Sequence, residues 1–335
     1  MARSDFVHLH THTEYSMLDG AASNEKLFAE VARQGMPAVA MTDHGNMFGA
    51  YEFFQISKKY DGDQNPLVKP IIGIEAYVAP STRKSRVQEF WGTSRDAGDP
   101  DAEGGKDVSG GGRYTHMTMW AKDSEGLHNL FRLSSLASYE GYYMKPRMDR
   151  ELMGQYPGGI IASTGCPSGE VQTRLRLGQF EEACQAASDY RDIFGRENYF
   201  CELMDHGVPI EKQVRSDLLK LAKKLDIPLL VTNDSHYVTE DQADAHDSLL
   251  CVGVGRNKDD PNRFRFNGSG YYIKSSEQMR ALFPDHPEAC DNTLLLTEMI
   301  GSYDEVFKYV DRMPQFDVPE GETQESWLRK KLQEG

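Results

Sequence analysis

Residues 6–20 read FVHLHTHTEYSMLDG, an apolar start that runs into histidines at 8, 10 and 12 and closes on a Leu-Asp-Gly turn. In an extended chain, residues two apart project to one face, so His10 and His12 can offer two imidazoles to one ion. Residues 6–12 therefore read as a strand whose far end carries chemistry. An isolated His-x-His also occurs on plain surface strands, so the weight falls on what ends beside it.

Downstream, short apolar or β-branched runs at 37–42, 70–78, 116–121, 159–164, 199–204 and 228–232 alternate with segments of helical period near 23–34, 47–59, 124–137, 180–194 and 210–225. In the first of these helices Leu27, Phe28, Val31 and Ala32 share one face behind a Ser-Asn cap. Strands separated by helices specify a parallel sheet with helical crossovers, and seven strand candidates predict an α/β barrel. The stretch 81–113, with GTSRDAGDPDAEGGKDVSGGGR inside it, is too polar to pack and reads as a long mobile loop. From residue 275 the strands stop and helical segments at 276–283 and 287–301 follow. This predicts a barrel over 1–285 and a helical extension over 286–335.

Composition narrows the function. The 335 residues are 39% hydrophobic, enough for a sizeable core, and contain no apolar run long enough to span a membrane and no secretory leader pattern. A soluble, cytoplasmic protein is expected. With 37 Lys+Arg against 52 Asp+Glu the formal charge is -15, which opposes diffuse attraction to nucleic acid, so any contact with DNA is local or runs through bound metal. The five cysteines are scattered and form no CxxC, which excludes a secreted disulfide framework and a zinc ribbon.

Metal-ligand residue types recur at the strand ends. Asp19 follows the first strand, His44 follows the second in TDHGN, and Glu75 sits inside the third in GIEAY. His116 opens the fourth, Cys166 follows the fifth in TGCPSG, and Asp234 and His236 follow the last in TNDSHY. The rim of a parallel barrel is where such residues meet. Together with His10 and His12 they make nine, too many for one ion, so two or three ions sharing a bridging carboxylate are expected, with Glu75 as the natural bridge. Imidazole and thiolate favour zinc or iron, and the carboxylates admit manganese. Arg174 and Arg176, and the group Lys145, Arg147 and Arg150, could receive a phosphate but read more simply as solvated charges. His8 reads as structural, and Asp43 as a support for His44 or its loop.

The segments HLHTHTEYSMLDGA, TDHGNMFG, GIEAYVAP, TGCPSGEVQTRL and TNDSHYV, in this order, resemble the polymerase-and-histidinol-phosphatase (PHP) domain found at the N-terminus of bacterial replicative DNA polymerase III alpha subunits, nearest the actinobacterial type. The resemblance runs from about residue 6 to the last residue. It implies a distorted (βα)7 TIM-like barrel with three divalent metal ions, zinc or manganese, with iron or magnesium as alternatives. By carry-over His10, His12, Glu75 and Asp234 hold one ion; Glu75, His116 and Cys166 a second; Asp19, His44 and His236 the third. All nine act catalytically through bound metal. The implied activity is 3′→5′ proofreading exonuclease action on a DNA primer–template 3′ end, with the sliding clamp and clamp loader as partners of other parts of such a polymerase. The residues after about 287 resemble the start of a polymerase palm without its catalytic aspartates, so this stretch is not expected to polymerise. Two alternatives stay open: a phosphatase of the histidinol-phosphatase type, and a non-catalytic scaffold stapled by metal.

Overall fold

A seven-stranded sheet organises the molecule, a computed structural model that describes residues 5–92, 107–314 and 316–335. Its strands are β1 (Ala38–Met41), β2 (Lys69–Val78), β3 (Thr115–Ala121), β4 (Arg147–Met148), β5 (Ile160–Ser163), β6 (Tyr199–Leu203) and β7 (Leu229–Val231). The spatial order is β1-β2-β3-β5-β6-β7, with the two-residue β4 alongside β2. Residues 6–12 are extended but form only one bridge, Thr11 to Ser235, where the sequence predicts a regular strand. They nevertheless close the sheet on itself: Ala40 and Thr42 donate to His8 and Thr11 on one side, while His12 and Ser235 exchange bonds with Ser235 and His10 on the other. The result is a distorted TIM-like barrel, and no helix among the described residues is long and apolar enough to cross a membrane.

The expectation of an all-parallel sheet needs correction. β3 runs antiparallel to both β2 and β5. A parallel neighbour requires a helix that carries the chain back to its starting end. Between β2 and β3 the only described helix is the turn Ser109–Gly112, so the chain simply reverses, pairing Val78 with Thr115. Between β3 and β5 the helices Ser124–Glu140 and Arg150–Gln155 make two passes and return the chain to the end it left. This reversal matters for chemistry, because the first residues of β3 lie at the same rim as the last residues of its antiparallel neighbour β2.

The segment expected as a mobile loop is packed at its described flanks. The buried Arg83 guanidinium lies 2.8 Å from Asp149, and Asp107 accepts from the backbone of Trp91 and Gly92 at 3.0 and 2.7 Å. Residues 93–106 lie outside the described residues. Residues past 285 also pack against the barrel. Helix Pro287–Met299 lies on β7, where Asn292 donates to Leu229 O at 2.7 Å and Thr293 Oγ1 accepts from Val7 N at 3.1 Å. The buried Tyr303 hydroxyl reaches Ala121 O at 2.6 Å, and Phe307 stacks on Phe54 at 4.5 Å. The barrel body therefore continues through Phe307. Beyond it, helix Gln324–Glu334 buries none of its residues.

Candidate metal centre

All nine donor residues converge at one end of the barrel. Glu75 stands at the centre because β2 outlasts its neighbour: β1 ends at Met41 opposite Ile72, and Glu75 is level with His44 just past that end. His116 reaches the same level because β3 is reversed, in register with Tyr77. Gly20 permits the 13–20 turn to fold back, since a Cβ there would fall 2.1 Å from Thr13 O. Asp234 is held at φ 42, a left-handed conformation uncommon outside glycine and concentrated at functional sites.

The Glu75 carboxylate meets four imidazoles. Oε1 lies 3.5 Å from His10 Nε2 and 3.1 Å from His116 Nδ1. Oε2 lies 3.3 Å from His12 Nε2 and 2.7 Å from His44 Nδ1. Asp234 Oδ1 lies 3.3 Å from His10 Nε2, 3.0 Å from His12 Nε2 and 3.7 Å from His236 Nδ1. Asp19 Oδ2 lies 2.7 Å from His44 Nε2 and 3.5 Å from His236 Nε2, while Cys166 Sγ is 3.5 Å from His116 Nδ1. Three overlapping donor groups are compact enough to hold an ion: His10/His12/Asp234, His12/His44/His236 and His44/Glu75/His116.

The donors also fit metal by what they lack. Buried polar atoms are normally hydrogen-bonded. Here Glu75 Oε2, His44 Nδ1, Asp234 Oδ1 and His236 Nε2 are buried with no hydrogen-bond partner, although oppositely charged groups lie close by. The 2.7 Å approach of His44 to Glu75 is thus a contact without hydrogen-bond alignment, the relation expected of two ligands aimed at a shared ion.

In the metal-free chain protons balance the acids. Burial pulls the His10, His44 and His236 pKa values down, but the facing carboxylates outweigh it, raising His10 well above its ordinary value, His44 to about 10 and His236 to about 9. His12, buried beside the cationic His44 and His236, is lowered instead. Burial opposes ionisation of Glu75, Asp19 and Asp234, yet the imidazoles drive all three down. Burial, then Glu75 and Asp234, push the Cys166 thiol well up.

A second layer aims the donors, and its main member went unnoticed in sequence. Glu202, buried in β6, takes His10 Nδ1 at 2.7 Å and Thr232 Oγ1 at 2.6 Å on Oε1, and Thr118 Oγ1 at 3.2 Å and Ser163 Oγ on Oε2. It leaves His10 Nε2 to face Glu75 and Asp234. The signal was a lone carboxylate inside the apolar run YFCELM. Asp43 accepts from Thr13 N, Thr13 Oγ1 and Ser16 Oγ at 2.7–2.8 Å, and Ser16 Oγ lies 2.9 Å from His12 Nδ1. Asp43 thus steadies His12 through Ser16, whose Oγ also accepts from His44 N at 3.1 Å, so it supports the His44 loop as the sequence predicts. His246 meets Asp19 O at 2.6 Å.

Apart from Lys145, the other polar candidates are structural. His8 Nε2 reaches Lys274 O at 2.9 Å, and burial pushes its pKa down to about 4. His206 lies between Glu211 and Asn233 O. Arg147 serves the backbone carbonyls of Gly141, Arg113, Arg83 and Ser85, Arg150 pairs with Glu170, and Arg174 lies over Trp91. Arg176 is bonded to Pro167 O and Thr173 Oγ1. Lys145 is exposed at the mouth of the site.

The family pattern of the PHP domain matches residues 8–206. The chain is 58% identical over 330 residues to the DNA polymerase III subunit alpha of Saccharopolyspora erythraea, covering 98% of this chain and 27% of that protein. It is 54% identical over 336 residues to the subunit of the same name from Mycobacterium tuberculosis H37Rv, covering 100% of this chain and 27% of that one. The chain thus spans about a quarter of the length of these curated relatives. Among solved structures it is similar to a histidinol phosphate phosphatase from Lactococcus lactis complexed with zinc, L-histidinol and phosphate, at 13% identity and TM-score 0.31, covering 81% of this chain and 99% of that one. By its barrel and the match over more than half its length, the chain belongs to the PHP domain family.

Proposed function

We propose that this chain serves as the hydrolytic domain of a replicative DNA polymerase III alpha subunit, cleaving the terminal phosphodiester at a DNA 3′ end as a proofreading 3′→5′ exonuclease in the cytoplasm. The observation that carries the reading is the convergence of the nine donors at one rim, with Glu75 at the centre and both of its carboxylate oxygens facing imidazoles. Divalent ions bound there would supply an activated water at neutral pH and charge to clamp the oxygens of an in-line displacement.

The chain's own residues fit such a task. His10, His12 and Asp234 hold one side of the floor, His116 and Cys166 the other, and Asp19, His44 and His236 the outer edge. Glu202 and the Asp43–Ser16 pair keep His10 and His12 from turning. Three ions of zinc or manganese match this donor count and type. The rest of a polymerase chain, the clamp and the clamp loader would act through regions beyond this stretch.

The test is cleavage of a 5′-labelled primer–template with a mismatched 3′ end, with and without Mn²⁺ or Zn²⁺, beside His12→Ala. Stepwise shortening by the wild type, lost in a folded variant, is expected. Turnover of histidinol phosphate without action on DNA would replace the exonuclease by a phosphatase. Metal-dependent stability with neither activity would leave a scaffold.

A further inference from the structure

The donor cluster forms the floor of a cavity of about 750 Å³, and large apolar side chains stand exposed around its mouth. Met17 and Phe48 are each 75% exposed, Met144 64% and Tyr142 59%, with Leu18 beside them. An apolar patch gathered at one opening marks a binding face. Leu18 and Met144 are also held at φ 66 and 65, a left-handed conformation unfavourable for any side chain with a Cβ. Backbone held in this way at a pocket rim is a feature of ligand clamps.

Lys145 adds a cation. It is exposed at this rim, with Nζ 5.3 Å over the Tyr77 ring, and it makes no ion pair among the described residues. The rim therefore offers flat and thioether faces together with a cation, above a floor suited to phosphodiester oxygens. Because these side chains line the same cavity as the donors, an occupant that reaches the floor also rests against them. A flexible strand of bases on an anionic backbone does both, whereas a protein surface laid across the mouth would shut the floor away.

We infer that this rim is a stacking platform for the last unpaired bases of a nucleic-acid 3′ end, with Lys145 on a backbone phosphate. The inference rests on the hydrolytic reading for the nature of the strand, and it names what separates frayed from paired ends. Paired bases are stacked on one another and cannot lend their faces to Phe48 and Tyr142, whereas unpaired bases can.

The probe is an oligodeoxynucleotide with a 3′-terminal 2-aminopurine on a phosphorothioate linkage, single-stranded or annealed, titrated with the 335-residue chain in Mn²⁺. The unpaired end is expected to bind at least tenfold more tightly than the paired one, with its fluorescence quenched by stacking. Phe48→Ala with Tyr142→Ala should abolish the quench and weaken binding at least tenfold. Lys145→Ala should lower the salt dependence by about one charge. Tyr309→Ala, an exposed aromatic away from this cavity, serves as the unchanged control. Absence of quenching in the wild type, or equal binding by the double variant, overturns the platform and leaves the rim as a face for protein. Shortening of an ordinary strand is scored separately: quenching without cleavage sinks the hydrolytic reading while the platform stands.

Discussion

Glu75 and Glu202 are both buried strand glutamates, and His10 stands between them with Nδ1 on Glu202 and Nε2 toward Glu75. Their surroundings differ in kind. Glu202 is met by three hydroxyls and one imidazole from four separate parts of the barrel, so both its oxygens are hydrogen-bonded by the chain itself. Glu75 is met by four imidazoles, and its Oε2 has no hydrogen-bond partner. A structural carboxylate is completed by the fold, whereas a ligand carboxylate is left for something the fold does not contain.

The sharpest way to break this contrast is to neutralise each glutamate in turn. Glu75→Gln is expected to lower strand cleavage by about a thousandfold or more and to reduce bound metal by at least one ion per chain. Cleavage within tenfold of wild type, with full metal content, would remove Glu75 from the centre. Glu202→Gln should leave every donor in place but weaken metal affinity by about ten- to a hundredfold, read by competition with a chelator. Unchanged affinity would mean that His10 needs no partner at Nδ1.

Proton balance gives a third test. His44 and His236 are raised to about 10 and 9 in the metal-free fold, above the ordinary imidazole value of about 6.5. The stability their protonation contributes is full below about pH 6.5 and is lost as pH climbs through 9 to 10. The Tm of chelated protein should therefore fall between pH 7 and 10, and metal loading should flatten that fall because metal takes the place of the protons. A chelated chain whose Tm is flat over this range would refute it. The smallest effect is expected for Ser16→Ala, about 1 kcal/mol in urea unfolding, from the lost link between Asp43 and His12. A cost above about 3 kcal/mol would place more weight on that link than its geometry shows.

Much of the fold was legible because strand-forming runs and helical stripes alternate cleanly, as in 23–34 and 180–194, whose helices lie at Asn24–Arg33 and Phe180–Phe194. Strand direction was not. Apolar periodicity is the same whichever way a strand runs, so nothing in THMTMWA announces that β3 is reversed. Helix Ala243–Val254 escaped notice because Leu249, Leu250, Cys251 and Val252 run together and form no stripe. Eight of the nine donors were visible because His, Cys and Asp in or beside strand ends are uncommon chemistry, the ninth, Glu75, because it interrupts an apolar strand inside the family segment GIEAYVAP, and the structure brings all nine to one place. Glu202 was not, since a single acid in an apolar strand carries no pattern of its own.

The closure of the barrel by residues 6–12 has a consequence for how the protein is made. His12 N bonds to Ser235 O, and Ser235 N returns the bond to His10 O. The first and last donors are thus neighbours in space and almost the whole barrel apart along the chain. At synthesis rates of about 5–20 residues per second, His10 and His12 wait roughly ten to forty-five seconds for Asp234 and His236 to be translated. During that interval a paired-imidazole strand is exposed with no completed site. Under the proposed reading, metal capture is timed by the ribosome, and translation of the barrel's last strand decides when it begins.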